Sequence, residues 1–177
     1  MKTGIKIDVL LNYNSLTENM IFEENGKKLA IGKAVLDQVD TVYIKDRKFF
    51  MLNSKFAELV YHSKCDLYAE HKCRMKSPGK SSGYGSTSQT SAITSYSTYI
   101  SSASIYELRL PDDYDLKPFI IYWLKKNGEL NNFLNIRQLG RLYDDKKNLF
   151  KAFVKEHDVK YDNQESIVQL VKYLETN

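Results

Sequence analysis

Apolar and polar residues alternate along most of the first 76 positions. Ile5, Ile7 and Val9 fall on one parity and Lys6 and Asp8 on the other, the pattern of a half-buried strand. Met20–Glu24 and Lys27–Ile31 flank Asn25-Gly26, a strong hairpin signal because both turn residues tolerate positive φ. Val39–Ile44 and Arg47–Leu52 flank Lys45-Asp46, a second hairpin, and Phe56–His62 and Asp66–Lys76 flank Ser63-Lys64, a third. In the last of these strands Cys65, Leu67, Ala69, His71, Cys73 and Met75 share the face expected to meet the core. Asp66, Tyr68, Glu70, Lys72 and Arg74 share the face expected to meet water. Short connections make sequential strands neighbours, so this portion reads as an antiparallel meander with one wet face.

Residues 77–104 have a different character, with 11 Ser, 4 Thr, 3 Gly and 3 Tyr, a single charge, and Ile93 and Ile100 as their large aliphatics. So little apolar mass cannot offset the entropy of ordering, which predicts a flexible excursion. Strand alternation returns at Ile105–Leu110, breaks at Pro111-Asp112-Asp113, and resumes at Phe119–Lys125 and Glu129–Leu134 around Asn127-Gly128. The period then becomes helical. Asn135 is placed to cap a helix with Ile136, Leu139 and Leu142 on one side. Asp144 or Asp145 is placed to cap a second, carrying Leu149, Phe150, Phe153 and Val154. Asp162-Asn163-Gln164-Glu165 reads as a capping box opening a third, with Ile167, Leu170, Val171 and Leu174 as its stripe.

Strands followed by helices predict an α+β fold: an N-terminal antiparallel β-meander, able to curl into a barrel or a sandwich, with short C-terminal helices packed on it. The chain divides into a β-rich body (1–76), a Ser/Thr/Tyr-rich flexible excursion (77–104), and a portion (105–177) whose strands complete the sheet before the helical tail.

At 177 residues and 42% hydrophobic composition the chain is long enough to bury a core without staples. No run approaches 18 apolar residues, so no transmembrane span is expected. The net charge of +4 is dispersed: 13 basic and 10 acidic residues lie in 1–76, Lys80 alone in 77–104, and 12 of each sign in 105–177. Nucleic-acid binding draws on clustered Lys and Arg, so no nucleic-acid partner is expected.

Chemistry-bearing residues are scarce, with 3 His and 2 Cys. On one strand Cys65 and Cys73 stand about 26 Å apart, far outside disulfide reach, and read as free buried thiols. His62, Cys65, His71 and Cys73 are spread too widely along a hairpin to converge on one metal, so no metal or other cofactor is assigned. Serine is abundant, but Gly83-Tyr84-Gly85-Ser86 lacks the Gly-x-Ser-x-Gly spacing of a nucleophile elbow, and no catalytic residue is assigned. His157 fits a helix end, where a cation complements the dipole. The acidic run Asp112–Asp115 around Pro111 reads as a turn. Tyrosine, by contrast, is plentiful at 13 residues. Tyr84, Tyr96 and Tyr99 in the excursion, with Trp123 on a strand, are the candidate binding residues, because such rings give contact area at low entropic cost. Tyr122 and Trp123, being consecutive, face opposite sides of their strand.

Three segments carry a resemblance: Tyr106-Glu-Leu-Arg-Leu-Pro-Asp-Asp, Phe119-Ile-Ile-Tyr-Trp-Leu-Lys-Lys-Asn-Gly, and Leu142-Tyr-Asp-Asp-Lys-Lys-Asn-Leu-Phe-Lys-Ala-Phe. With Gly83-Tyr-Gly-Ser-Thr-Ser-Gln-Thr-Ser and the terminal Val168-Gln-Leu-Val-Lys-Tyr-Leu, they resemble a group of uncharacterised exported bacterial proteins. That group joins a β-rich body to a strand–turn–strand and short-helix tail. The resemblance implies a signal peptide on the native protein and a periplasmic or cell-envelope location; it carries over no functional residue. The reading that follows is a non-enzymatic envelope module, binding or structural, with a protein or glycan partner. The alternative is a hydrolase or metal-dependent enzyme using the His71/Cys73 or Asp112–Asp115 neighbourhood.

Overall fold

Paired left-handed residues make the tight turns of this chain. Asn25 and Gly26 (φ +52° and +73°), Asn53 and Ser54 (+47° and +64°), and Asn127 and Gly128 (+53° and +83°) each adopt positive φ, which suits two-residue hairpin loops to the twist of the strands they join. The computed structural model describes residues 6–76, 80–81, 87–88 and 115–177. Strands β1 (Leu11–Asn14), β2 (Asn19–Glu24) and β3 (Lys27–Ala30) form one antiparallel sheet, followed by the helical turn α1 (Lys33–Leu36). Strands β4 (Thr41–Ile44), β5 (Arg47–Leu52), β6 (Lys55–His62) and β7 (Asp66–Lys76) meander into a second. Short strands β8 (Lys80–Ser81) and β9 (Thr87–Ser88) pair with each other, and β10 (Asp115–Lys126) and β11 (Glu129–Phe133) then complete the second sheet.

That second sheet has the order β11-β10-β7-β6-β5-β4. It is an open antiparallel sheet with β11 and β4 as edges, not a closed barrel. Strands β7 and β10 are matched through eleven consecutive pairs, from Asp66↔Lys125 to Lys76↔Asp115. Residues 77–114 therefore connect two adjacent central strands whose ladder is registered to its last pair. The excursion and the strand expected at Ile105–Leu110 lie outside the described residues, apart from β8 and β9.

Directly paired residues share a face, and one row crosses all six strands: Val42, Phe49, Glu58, Ala69, Tyr122 and Phe133. Both cores lie on this face. At the β4–β6 end Val42, Phe49 and Phe56 pack with Met20 of the small sheet and Val39. At the β7–β11 end Leu67, Ala69, Tyr122, Leu124 and Phe133 pack with the helices. These are α2 (Ile136–Arg141), a 3₁₀ turn (Asp144–Lys146), α3 (Lys147–Glu156) and α4 (Gln164–Thr176). Leu139 of α2 and Ile167, Leu170, Val171 and Leu174 of α4 are fully buried, each such side chain being stabilised by about 1.5–3 kcal/mol relative to exposure. Asn135 caps α2 by accepting from the Gln138 amide, as its position predicts.

Four expectations change. Ile7 and Val9 are 61% and 48% exposed and lie in no strand, because no described element packs over them; regular pairing begins at Leu11. Neither Asp144 nor Asp145 caps α3; both sit in the 3₁₀ turn, and Asp144 lies 3.9 Å from the Lys147 ammonium. The cap of α4 is Asn163, accepting from Ser166 N at 3.1 Å, one position beyond the expected Asp162. Finally, the even side of β7 is not uniformly wet: Tyr68 and Glu70 are buried there. Their surroundings belong to the candidate site.

Gly140 of α2 lies so close to α3 that a Cβ there would fall 2.9 Å from the ring of Phe150, itself buried. Gly140→Ala gains roughly 1 kcal/mol of helix propensity but overpacks a site where strain costs about 1–3 kcal/mol. Denaturant unfolding of the variant should show a net loss of about 1 kcal/mol; a gain in stability would contradict the close approach.

Candidate functional site

The large sheet is covered on one face, and its opposite face belongs to neither core. Register places Tyr43 and Lys48, then Leu59, Tyr68, Trp123 and Asn132, on that open side. Phe50 joins them through an edge-on contact with Tyr68, at 6.1 Å between centroids and 84° between planes. Farther along the same side lie Ile121 beside Glu70, Phe119 beside Lys72, Lys117 beside Arg74, Asp115 beside Lys76, and Lys125 beside Asp66. None of Phe50, Leu59, Tyr68, Phe119, Ile121 and Trp123 enters either hydrophobic core.

Ala57, Tyr68 and Glu70 are buried on this side, which the turn after β1 reaches through Glu18, bound to Lys55 and Lys72, and local pairing satisfies their polar groups. The Tyr68 hydroxyl donates to Asp66 Oδ2 at 3.2 Å, and burial, reinforced by the Asp66 charge, pushes its pKa up to about 12. Glu70 accepts from Trp123 Nε1 at 3.0 Å and from Lys72 Nζ at 2.9 Å. Two donors fix this buried carboxylate in place. Lys72 also reaches Glu18 at 3.0 Å, and Glu18 reaches Lys55 at 2.7 Å. Burial alone would raise the Glu18 pKa, but hydrogen bonds from the two lysines and their charge lower it. The turn after β1 is thereby tied to β6 and β7.

Rings and cations alternate on this face. Lys48 Nζ sits 4.9 Å from the Phe50 centroid and 5.8 Å from that of Tyr43, and the Arg74 guanidinium sits 4.4 Å from Phe119. The acids there are taken: Asp66 by His62 at 2.5 Å, Glu70 by Lys72, and Asp115 by Lys117 at 3.7 Å. Lys48, Arg74, Lys76 and Lys125 make no ion pair among the described residues. The arrangement offers a firm, mildly basic and aromatic surface.

Trp123 is the sequence-predicted binding residue placed here, half-buried and opposite the fully buried Tyr122, as their adjacency predicts. Tyr84, Tyr96, Tyr99, Asp112 and Asp113 lie outside the described residues. Asp115 is described, and its partner is Lys117. The residues missed from sequence are Arg74, Phe119 and Glu70. The alternation Lys117, Phe119, Ile121, Trp123, Lys125 could have flagged the face, but Glu70 is brought to Trp123 across 53 positions of chain.

The His71 neighbourhood is built differently. On the covered face Arg47 Nε and Nη2 donate to Glu58 at 2.9 and 2.8 Å, and His71 Nε2 lies 2.7 Å from Glu58 Oε2. The Arg47 guanidinium rests 5.0 Å from the Phe49 centroid. The β6–β7 pairing ends at Glu58↔Ala69, and Tyr13 Oη donates to the His71 carbonyl just past it at 2.9 Å. Tyr13 also stacks on Phe49 at 5.7 Å. Tyr13 thus ties the small sheet to this part of the large one. Cys73 donates weakly to the Arg74 carbonyl at 3.7 Å rather than to His71, and burial raises its thiol pKa. Cys73 is half-buried, more open than expected, whereas Cys65 is buried and pushed up to about 11, first by burial and then by the Glu175 charge. Both sulfurs are kept as thiols, the unreactive form. His62 is taken by Asp66, and among the described residues no three His, Cys, Asp or Glu side chains are grouped as metal ligands.

A cleft of about 430 Å³ lies elsewhere, lined by Lys126, Asn127, Glu129, Asn131, Arg141 and Asp145 among others. Its charges balance. Behind it Lys126 lies 3.5 Å from the buried Glu175 and 4.1 Å from the Tyr143 centroid.

The chain matches no family model, no curated protein and no solved structure in comparisons with known proteins.

Burial on its own would raise the Glu58 pKa, but hydrogen bonds from Arg47 and His71, with their charges, outweigh it and hold the group at about 2. A depressed carboxylate stabilises the fold above its unfolded pKa of about 4.3, and the contribution is lost as pH falls toward 2. Thermal melts of the wild type should therefore drop steeply between pH 4.5 and 2. Glu58→Gln should melt lower at pH 7 and fall less over that window; parallel curves would refute the assignment.

Proposed function

We propose that this protein is a non-enzymatic cell-envelope module that binds through the open face of its large sheet around Trp123, with Ser77–Ser104 as an adjoining contact segment. The observation that carries the binding reading is the asymmetry of the sheet. One face is consumed by two cores, while the other holds rings and four cations without ion-pair partners among the described residues, on strands locked by the β7–β10 ladder. Residues 77–114 join the two ends of that ladder, Lys76 and Asp115, whose side chains share the open side. The envelope location rests on the resemblance to exported proteins.

The enzymatic alternative finds less support. Cys73 is a protonated thiol bonded to backbone, and the His71 ring is engaged with Glu58 within the large sheet. A nucleophile–base pair needs those two side chains within hydrogen-bond reach of each other.

The test is retention of envelope components on the immobilised chain, compared among the wild type, Trp123→Ala, and a form with residues 77–104 replaced by a short Gly/Ser linker. Each altered form should fold, by circular dichroism, and retain the wild-type set of components at least several-fold less well. Equal recoveries from all three would overturn the reading.

A further inference from the structure

The cations of the open face, taken with its rings, define a class of ligand. Among the described residues Glu70 and Asp66 are engaged within the protein, while Asp115, 3.7 Å from Lys117 and largely exposed, is the one carboxylate at the rim of the face. Lys48, Arg74, Lys76 and Lys125 make no ion pair among the described residues, Lys48 and Arg74 resting over rings. They are also dispersed. Lys48 on β5 and Lys125 on β10 are three strand spacings apart, roughly 14 Å, and Arg74 lies six residues along β7 from Tyr68, roughly 20 Å. No small anion can touch all of them, whereas an extended polyanion can.

The rings then separate two kinds of polyanion. Single-stranded nucleic acids gain much of their affinity by stacking bases on free aromatic faces. Here Phe119 carries Arg74, Phe50 and Tyr43 carry Lys48, and Tyr68 is buried edge-on to Phe50, while Trp123, its N–H tied to Glu70 in the plane of the ring, keeps a free ring face. The stacking positions are largely taken, and the charge remains. We infer that the open face binds an acidic polysaccharide, whose carboxylates meet Lys48, Arg74, Lys76 and Lys125 while its sugar rings lie along the β7–β10 strands. This rests on the reading of the open face as the binding surface and adds the chemistry of the partner. It agrees with the dispersed charge of the chain, which suits salt-sensitive binding of modest strength rather than tight phosphate gripping.

The experiment is amide chemical-shift mapping of the full chain against three probes: oligogalacturonate, its methyl ester, and oligo-dT of matched charge. Oligogalacturonate should shift amides of β5, β7 and β10, bind several-fold more weakly at 0.5 M than at 0.05 M salt, and lose at least tenfold in affinity with Arg74→Gln/Lys125→Gln, whose melting temperature should match the wild type. Equal shifts from the methyl ester would overturn the acidic ligand while leaving the face as a binding surface. Tighter binding of oligo-dT would overturn it in favour of nucleic acid. Absence of shifts on this face with all three probes would overturn the inference outright, while envelope retention judges the surface itself.

Discussion

The ladder between β7 and β10 is the constraint on which this architecture depends. Its eleven consecutive pairs join strands separated in sequence by residues 77–114, so the polar segment is held as a connection between central strands rather than as a linker between domains. The same register fixes which side chains share a face. Ala69 and Tyr122 meet the helices, while Tyr68 and Trp123, one residue on, meet each other on the opposite side. A slip of one position would carry Trp123 into the core and Tyr122 out of it.

Carboxylates do the second share of the organising. Glu58, Glu70 and Glu18 each hold two donors, and each pair of donors comes from more than one strand or from distant positions on the sheet. Because these acids are spent on internal bonds, the mild positive balance of the chain is expressed mainly where acids are absent from the surface. Of these acids Glu18 spans the two sheets, while Glu58 and Glu70 tie strands within the large one.

Much of the fold was legible in sequence because its signals are local. Asn25-Gly26 and Asn127-Gly128 turn the chain where they stand, and Ile167, Leu170, Val171 and Leu174 mark the buried stripe of α4 at helical spacing. What failed depended on neighbours. Ile7 and Val9 alternate well but have nothing packed over them, and Asn53-Ser54 turns at positive φ without a glycine to announce it. The cap of α4 moved by one residue because Asn163, not Asp162, reaches the Ser166 amide. Of the site, Trp123 was visible as an aromatic residue facing away from Tyr122, but Glu70, Arg74 and Phe119 acquire their roles through pairing across strands, which spacing along one chain does not encode.

The central claim is that the face around Trp123 is open and positively charged in the folded protein. Trp123 is the one tryptophan of the chain, so its fluorescence reports on that face alone. Collisional quenching should be markedly more efficient with iodide than with caesium at equal ionic strength, and the difference should shrink with Arg74→Gln/Lys125→Gln. Quenching by caesium equal to or greater than that by iodide, or an indole that neither ion nor neutral acrylamide reaches, would contradict the account.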